Sequence, residues 1–128
     1  MGITIGLKGG AETLCEREDT AREVGSGDLL VYATPCMVAL MEGAAYESIA
    51  PYLAEGESSV GTKMDVTHLS ATPVGMSVRA ESVVTAVEGR KVTFSITAYD
   101  EAGEIGRATH ERVVIKTERF LEKTYDKL

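Results

Sequence analysis

Residues 34–46 of this chain read TPCMVALMEGAAY, and this stretch decides the fold. Thr is a good N-cap and Pro is favoured at the first helical position, so Thr34-Pro35 predicts a helix start. The helix is expected to end near Ala50, before Pro51. It is apolar on every side, carries one charge at Glu42, and is too short to span a membrane. The sequence therefore predicts a buried central helix that the rest of the protein surrounds.

Four long strands are predicted after this helix. They are rich in β-branched residues or alternate apolar with polar side chains, over residues 59–70, 74–87, 92–99 and 104–116. Tight turns at 88–90 and 100–103 make successive strands an antiparallel meander. An extended piece near residues 10–16 comes before the helix, and residues 117–128 are expected to form a short helix or tail. One central helix wrapped by a curved antiparallel sheet is the hotdog arrangement, an α+β fold, in a single domain over residues 1–128.

Composition limits the classes of function. The chain of 128 residues has 13 basic and 20 acidic side chains, so its net charge is −7 and it repels nucleic acid. A phosphate-bearing small ligand would need a local cationic patch. The two cysteines form no zinc or disulfide pattern, which favours a reducing cytoplasmic setting. No signal peptide, membrane span or metal-ligand spacing is expected.

Glu42 carries the strongest chemical signal, because a carboxylate in an apolar buried helix costs several kcal/mol unless it is paired or neutralised. Desolvation would raise its pKa toward the range of a general base, although a structural hydrogen bond is the alternative. Thr34 lies eight positions earlier on the same broad helix face. Its simplest interpretation is an N-cap, and the functional one is a hydroxyl at a helix terminus that favours developing negative charge.

His68 is predicted to face the central helix, on one strand face with Val60, Thr62, Met64 and Val66. Because Glu42 would share that inner space, a carboxylate–imidazole general-base pair and a satisfied core histidine are about equally favoured. Gly61 on the same strand either lets a ligand approach the backbone or marks a bulge.

The last strand places His110 and Arg112 on one face. Such charges usually form a solvated face, although Arg112 can instead meet a carboxylate or a ligand phosphate. Cys36, early in the helix, is predicted to be an inert buried thiol, with a Cys–His enzyme as the alternative.

The chain resembles the fluoroacetyl-CoA thioesterase-like group of hotdog proteins. The resemblance runs from about Leu29 to Phe120 and is carried by a series of motifs at matching spacing, namely VYATPCMVALME (31–42), APYL (50–53), GE (56–57), VGT (60–62), VTH (66–68), ATP (71–73), VEGR (87–90), EIG (104–106) and THER (109–112).

This resemblance implies hydrolysis of an acyl-CoA thioester by a homodimer, or a higher oligomer, with sites near the subunit interface. It implies a catalytic set of Thr34, Glu42 and His68, with Gly61 near the substrate carbonyl and Arg112 as a further site residue. No cofactor is implied, since coenzyme A is part of the substrate.

One departure concerns the acyl group. The fluoroacetate enzyme has a phenylalanine-rich lid before the helix, whereas residues 19–28 here contain no aromatic residue, and the only phenylalanines are Phe94 and Phe120. The sequence therefore predicts thioester hydrolysis, but with a substrate other than fluoroacetyl-CoA. The alternatives are a non-catalytic module that binds acyl-CoA or a small acid, and a hotdog dehydratase.

Overall fold

A five-stranded antiparallel sheet and one long helix form the body of the chain, in a computed structural model that describes residues 2–128. The strands are β1 (Lys8–Leu14), β2 (Glu57–His68), β3 (Ser77–Glu88), β4 (Lys91–Asp100) and β5 (Gly103–Lys116). The helices are α1 (Ala21–Val24), α2 (Thr34–Ile49) and α3 (Thr117–Tyr125), with 3₁₀ turns at Arg17–Asp19 and Ala50–Tyr52. The predicted order of elements is confirmed, and the C-terminal segment is a helix.

The strands pair in the order β1-β3-β4-β5-β2. Gly89 supplies the positive φ of 61° that closes the turn between β3 and β4, a conformation that glycine adopts without steric cost. Both β1 and β2 lie at sheet edges, so each presents unpaired backbone groups on one side.

The start of α2 differs by one residue from the prediction. Ala33 is the N-cap, and Thr34 is the first helical residue, whose hydroxyl makes no capping bond. Pro35 therefore stands at the second helical position, where its missing N–H is still one of the unsatisfied donors. The Thr34 hydroxyl is consequently free for another partner.

The core lies between α2 and the sheet. One side of the helix is buried, through Met37, Met41, Ala44, Ala45, Ser48 and Ile49, and Phe94 and Ile96 of β4 are buried with it in the same core. The prediction that the helix is buried on every side is wrong within a single chain, because Pro35, Ala39 and Tyr46 are exposed.

A β-bulge in β2 overturns the predicted strand face. The register with β5 shifts between Gly61 and Lys63, which leaves Thr62 as the extra residue. Beyond the bulge, Met64, Val66 and His68 pair with inward residues of β5, as predicted. Before it the alternation is reversed, since Gly61 faces inward opposite Arg112 and Val60 lies on the other face. Uninterrupted alternation was assumed, and one inserted residue exchanges the faces.

Candidate active site

Thr34 and His68 meet at the N-terminal end of α2. A hydrogen bond of 2.7 Å joins Thr34 Oγ1 to His68 Nδ1, across 34 residues of sequence. Thr34 lies in the first turn of α2, and His68 lies at the end of β2 on the inward face that follows the bulge. The structure thus brings together two of the three residues that the sequence predicts to be catalytic.

Burial lowers the pKa of His68 below its ordinary value, and the backbone of Ser70 partly opposes this. The second ring nitrogen, Nε2, is buried and makes no hydrogen bond of good geometry within residues 2–128. Since the ring is neutral near pH 7, it is able to accept a proton, as a general base must.

A cleft of about 340 Å³ opens beside this pair. It is lined mainly by small and aliphatic residues, together with Tyr32, and the full set is Ala21, Ser26, Val31, Tyr32, Thr34, His68, Leu69, Ser70 and Ala71. The segment before α2, from which Ala21 and Ser26 come, forms one wall of the cleft. No phenylalanine closes it.

Glu42 is held at a second cluster, two turns farther along α2. Its Oε2 lies 3.4 Å from Arg112 Nη1 and 3.8 Å from His110 Nε2. The carboxylate also lies against Gly61, where any Cβ would collide with Oε2. Gly61 therefore lets the carboxylate pack directly on the backbone of β2.

The prediction that Glu42 is buried is wrong within one chain, since its side chain is 41 % exposed. Of the two alternatives for His68, the pair with Glu42 does not form within one chain, where the counter-ion of Glu42 is Arg112. Among the described residues 2–128, no hydrogen bond or ion pair joins Glu42 to His68. Glu42 lies eight positions after Thr34, which is about 12 Å along the helix axis, so the two clusters are separate within one chain.

Arg112 is fixed from several sides. Its Nε donates to Ser59 Oγ at 2.9 Å and its Nη2 donates to the Ser59 carbonyl oxygen at 3.0 Å. The guanidinium lies 5.7 Å from the ring centroid of Tyr46, within cation–π range. At 6 % exposure, Arg112 does not belong to the solvated face that is the usual interpretation of such charges. It meets a carboxylate, which was the other possibility.

His110 is a site residue that sequence reasoning missed, because it was assigned to a solvated face. It is 1 % exposed and its ring stacks on Phe94, with centroids 5.8 Å apart. The signal for its position was its two-residue spacing from Arg112, which puts both side chains on the inner face.

Cys36 does not support a cysteine nucleophile. Burial is the main cause that raises the pKa of its thiol, so the reactive thiolate is disfavoured. Within the described part of the chain, no group of three or more His, Cys, Asp or Glu side chains is arranged to hold a metal. None of the helices over residues 2–128 combines the length and apolarity that crossing a bilayer requires.

Comparison with known proteins places this site in a family. The profile of the fluoroacetyl-CoA-specific thioesterase family matches residues 15–118. The curated fluoroacetyl-CoA thioesterase of Streptantibioticus cattleyicolor is 46 % identical over 97 residues, which are 76 % of this chain and 70 % of that protein.

Solved structures agree. The crystal structure of the fluoroacetyl-CoA thioesterase FlK superposes with a TM-score of 0.93 at 36 % identity, over 100 % of this chain and 99 % of that one. A thioesterase superfamily member from Thermus thermophilus superposes with a TM-score of 0.86 at 32 % identity, over 98 % of both chains.

These matches confirm the resemblance, the hotdog fold and the predicted class of thioester hydrolase. They extend over both clusters, from Thr34 to Arg112. The chain belongs to the fluoroacetyl-CoA-specific thioesterase family.

Proposed function

We propose that this protein hydrolyses a small acyl-CoA thioester to the free acid and coenzyme A, with Thr34, Glu42 and His68 as its catalytic residues. The observation that carries the proposal is the 2.7 Å hydrogen bond between Thr34 and His68 at the mouth of an open cleft. It sets a neutral imidazole and a hydroxyl at the end of a helix whose free N–H groups favour an oxyanion.

The chemistry has two routes. In one, the Glu42 carboxylate attacks the thioester carbonyl, the C–S bond breaks, coenzyme A leaves as a thiolate that takes a proton, and water hydrolyses the resulting anhydride. In the other, Glu42 or His68 takes a proton from water as the water attacks the carbonyl, the C–S bond then breaks, and the departing coenzyme A thiolate takes up that proton. Thr34 positions the imidazole or the carbonyl oxygen. Gly61 lets the Glu42 carboxylate pack on β2, and its backbone is proposed to lie near the substrate carbonyl. Mass spectrometry that traps an acylated Glu42 distinguishes the routes.

The acyl group is expected to be small and aliphatic. The cleft beside His68 is lined by residues such as Ala21, Val31 and Ala71, and its walls present no phenylalanine to grip a fluorinated group. We therefore propose that short aliphatic acyl-CoA esters are better substrates than fluoroacetyl-CoA.

We propose that the working unit is a homodimer in which a second copy covers the uncovered side of α2. That side exposes the apolar side chains of Pro35 and Ala39, which a second copy would remove from water. Edge strand β2 offers backbone groups for sheet pairing at the same time. Two-fold packing of antiparallel helices centred near Val38 would set Thr34 of one protomer beside Glu42 of its partner, and reciprocally.

This arrangement completes the catalytic set, because the two clusters that lie apart within one chain then meet across the interface.

A cytoplasmic location fits the two free cysteines, Cys15 and Cys36.

A panel of acyl-CoA esters with a thiol-detecting dye tests the function. Hydrolysis releases free coenzyme A, so the rate at which the dye signal grows should saturate as the substrate concentration rises. Tight binding of acyl-CoA without thiol release would support a non-catalytic binding module instead. Conversion of the acyl chain without thiol release would point to a dehydratase.

A further inference from the structure

His110 occupies a position that the catalytic proposal does not use. It lies on β5 with its ring between Phe94 and the ion pair of Glu42 and Arg112, and it is 1 % exposed. Both ring nitrogens have partners, so these contacts define which nitrogen carries the proton.

The Lys63 carbonyl oxygen lies 2.7 Å from His110 Nδ1. A carbonyl oxygen only accepts, so Nδ1 carries a proton. Arg112 Nη1 lies 3.2 Å from Nε2, and a guanidinium only donates, so Nε2 carries a lone pair. These two neighbours together select one neutral tautomer, with the proton on Nδ1.

The bulge in β2 supplies the first of these contacts. Lys63 directly follows the inserted residue Thr62, whose own hydroxyl donates to the Glu111 carbonyl oxygen at 3.2 Å. The same irregularity that turns Gly61 toward Glu42 thus also presents the Lys63 carbonyl to the imidazole.

We propose that His110 is a positioning residue that, as the neutral Nδ1–H tautomer, accepts a hydrogen bond from Arg112 and thereby aims its Nη1 at the Glu42 carboxylate. Arg112 is then held on three sides, by the hydroxyl oxygen and the carbonyl oxygen of Ser59 and by the imidazole, with one Nη1 proton left for Glu42. The role of His110 in catalysis rests on the thioesterase function proposed above. The assignment of its tautomer is independent of that function.

Charge around His110 is consistent with this state. Burial is the largest cause that lowers its pKa, and Arg112 acts in the same direction. The Lys63 carbonyl, Glu42 and Glu111 oppose them. An imidazolium here would lose the bond from Arg112 and set two cations side by side.

Nitrogen-15 NMR of the full-length labelled protein tests the tautomer directly. The chain has only two histidines. The His110→Phe variant removes the ring signals of His110, so the signals that remain belong to His68. We expect a protonated Nδ1 and an unprotonated Nε2 for His110 at pH 7. A protonated Nε2 at that pH, in either the neutral or the charged ring, overturns the proposal whether or not the protein hydrolyses thioesters.

Two variants separate positioning from packing. His110→Phe keeps a ring against Phe94 without an acceptor, whereas His110→Gln keeps an amide oxygen near the position of Nε2 and loses the stacking. We expect kcat to fall about 10-fold to 100-fold in the Phe variant, the size of one hydrogen bond to a charged group, with little change in KM. The Gln variant should recover part of that loss. Wild-type kcat in the Phe variant, combined with loss in the Gln variant, would reduce His110 to a core residue.

Discussion

Glu42 and Arg112 are 70 residues apart in sequence, and 3.4 Å separates the carboxylate from the guanidinium. The pair joins the middle of α2 to the last strand, at the point where β2 bulges. Arg112 is buried and its other hydrogen bonds go to Ser59 and His110, so it holds the Glu42 carboxylate rather than reaching for a distant phosphate. The carboxylate stays partly exposed toward the side of the helix that a second protomer would cover.

The hydroxyl of Thr34 is predicted to act on His68. Replacement by Ala removes the hydrogen bond, and replacement by Ser keeps it. We expect Thr34→Ala to lose about 10-fold or more in kcat and Thr34→Ser to lose much less. Thermal unfolding should change little in both, because Thr34 makes no capping bond. Equal activity of the Ala and Ser variants would remove the hydroxyl from the mechanism.

Gly61 is predicted to tolerate no side chain. The Cβ of Gly61→Ala would collide with Glu42 Oε2 and lie 3.1 Å from His110 Cε1. Displacement of the carboxylate should lower kcat/KM by about 10-fold or more, since a small misplacement of a reacting group is costly.

Gly10→Ala in β1 is the matched control, because its Cβ meets only the Ala80 carbonyl oxygen, at an ordinary 3.6 Å. Kinetics of both variants, with circular dichroism to verify folding, check the prediction. If the two alanine variants have the same kcat/KM, the packing of Glu42 against Gly61 does not contribute to catalysis.

Stability is predicted to fall in mild acid. The pKa values of His68 and His110 are lowered in the native state, while the unfolded chain titrates at the ordinary histidine pKa of about 6.5. Below that pH the unfolded state binds more protons, so the free energy of unfolding decreases as pH falls, and above it the two states are alike.

Urea titrations between pH 7.5 and 5 measure this slope. The slope should be shallower in His110→Gln, which removes one of the two groups. A free energy of unfolding that rises toward pH 5 would contradict the buried neutral state of both rings.

Complementation tests the proposed composite site. Alone, Thr34→Ala should keep about a tenth of the wild-type activity or less, and Glu42→Gln about a hundredth or less. When the two are unfolded together and refolded as a mixture, half of the dimers carry one of each, and one of their two sites is intact if Thr34 and Glu42 come from different protomers. Activity should then return to about a quarter of wild type. No recovery, with mixed dimers verified by mass spectrometry, would place both residues in the same protomer.

Much of the architecture could be predicted because it depends on local patterns. The apolar run after Thr34 and the turn at 88–90 are strong signals of a buried helix and a hairpin. A bulge was one of two interpretations of Gly61, but VGTKM does not show that Thr62 is the inserted residue or that the strand faces exchange there. That one residue decides which side chains of β2 face the site.

The sequence predicted which residues form the site better than it predicted which of them contact each other. Glu42, His68 and Arg112 were all singled out, but their partners depend on long-range packing. The position of α2 beside β5 brings Glu42 to Arg112, and its position beside β2 brings Thr34 to His68. His110 was missed because a histidine followed by two charged residues is usually solvated, and its burial depends on its pairing opposite Met64.

Glu42→Gln tests the central claim most directly, by the rate of coenzyme A release from the best substrate of the acyl-CoA panel. The amide keeps the shape of the side chain but is neither a base nor a nucleophile at neutral pH. We expect the variant to fold as the wild type and to lose at least about 100-fold in kcat. Release at the wild-type rate would contradict the account.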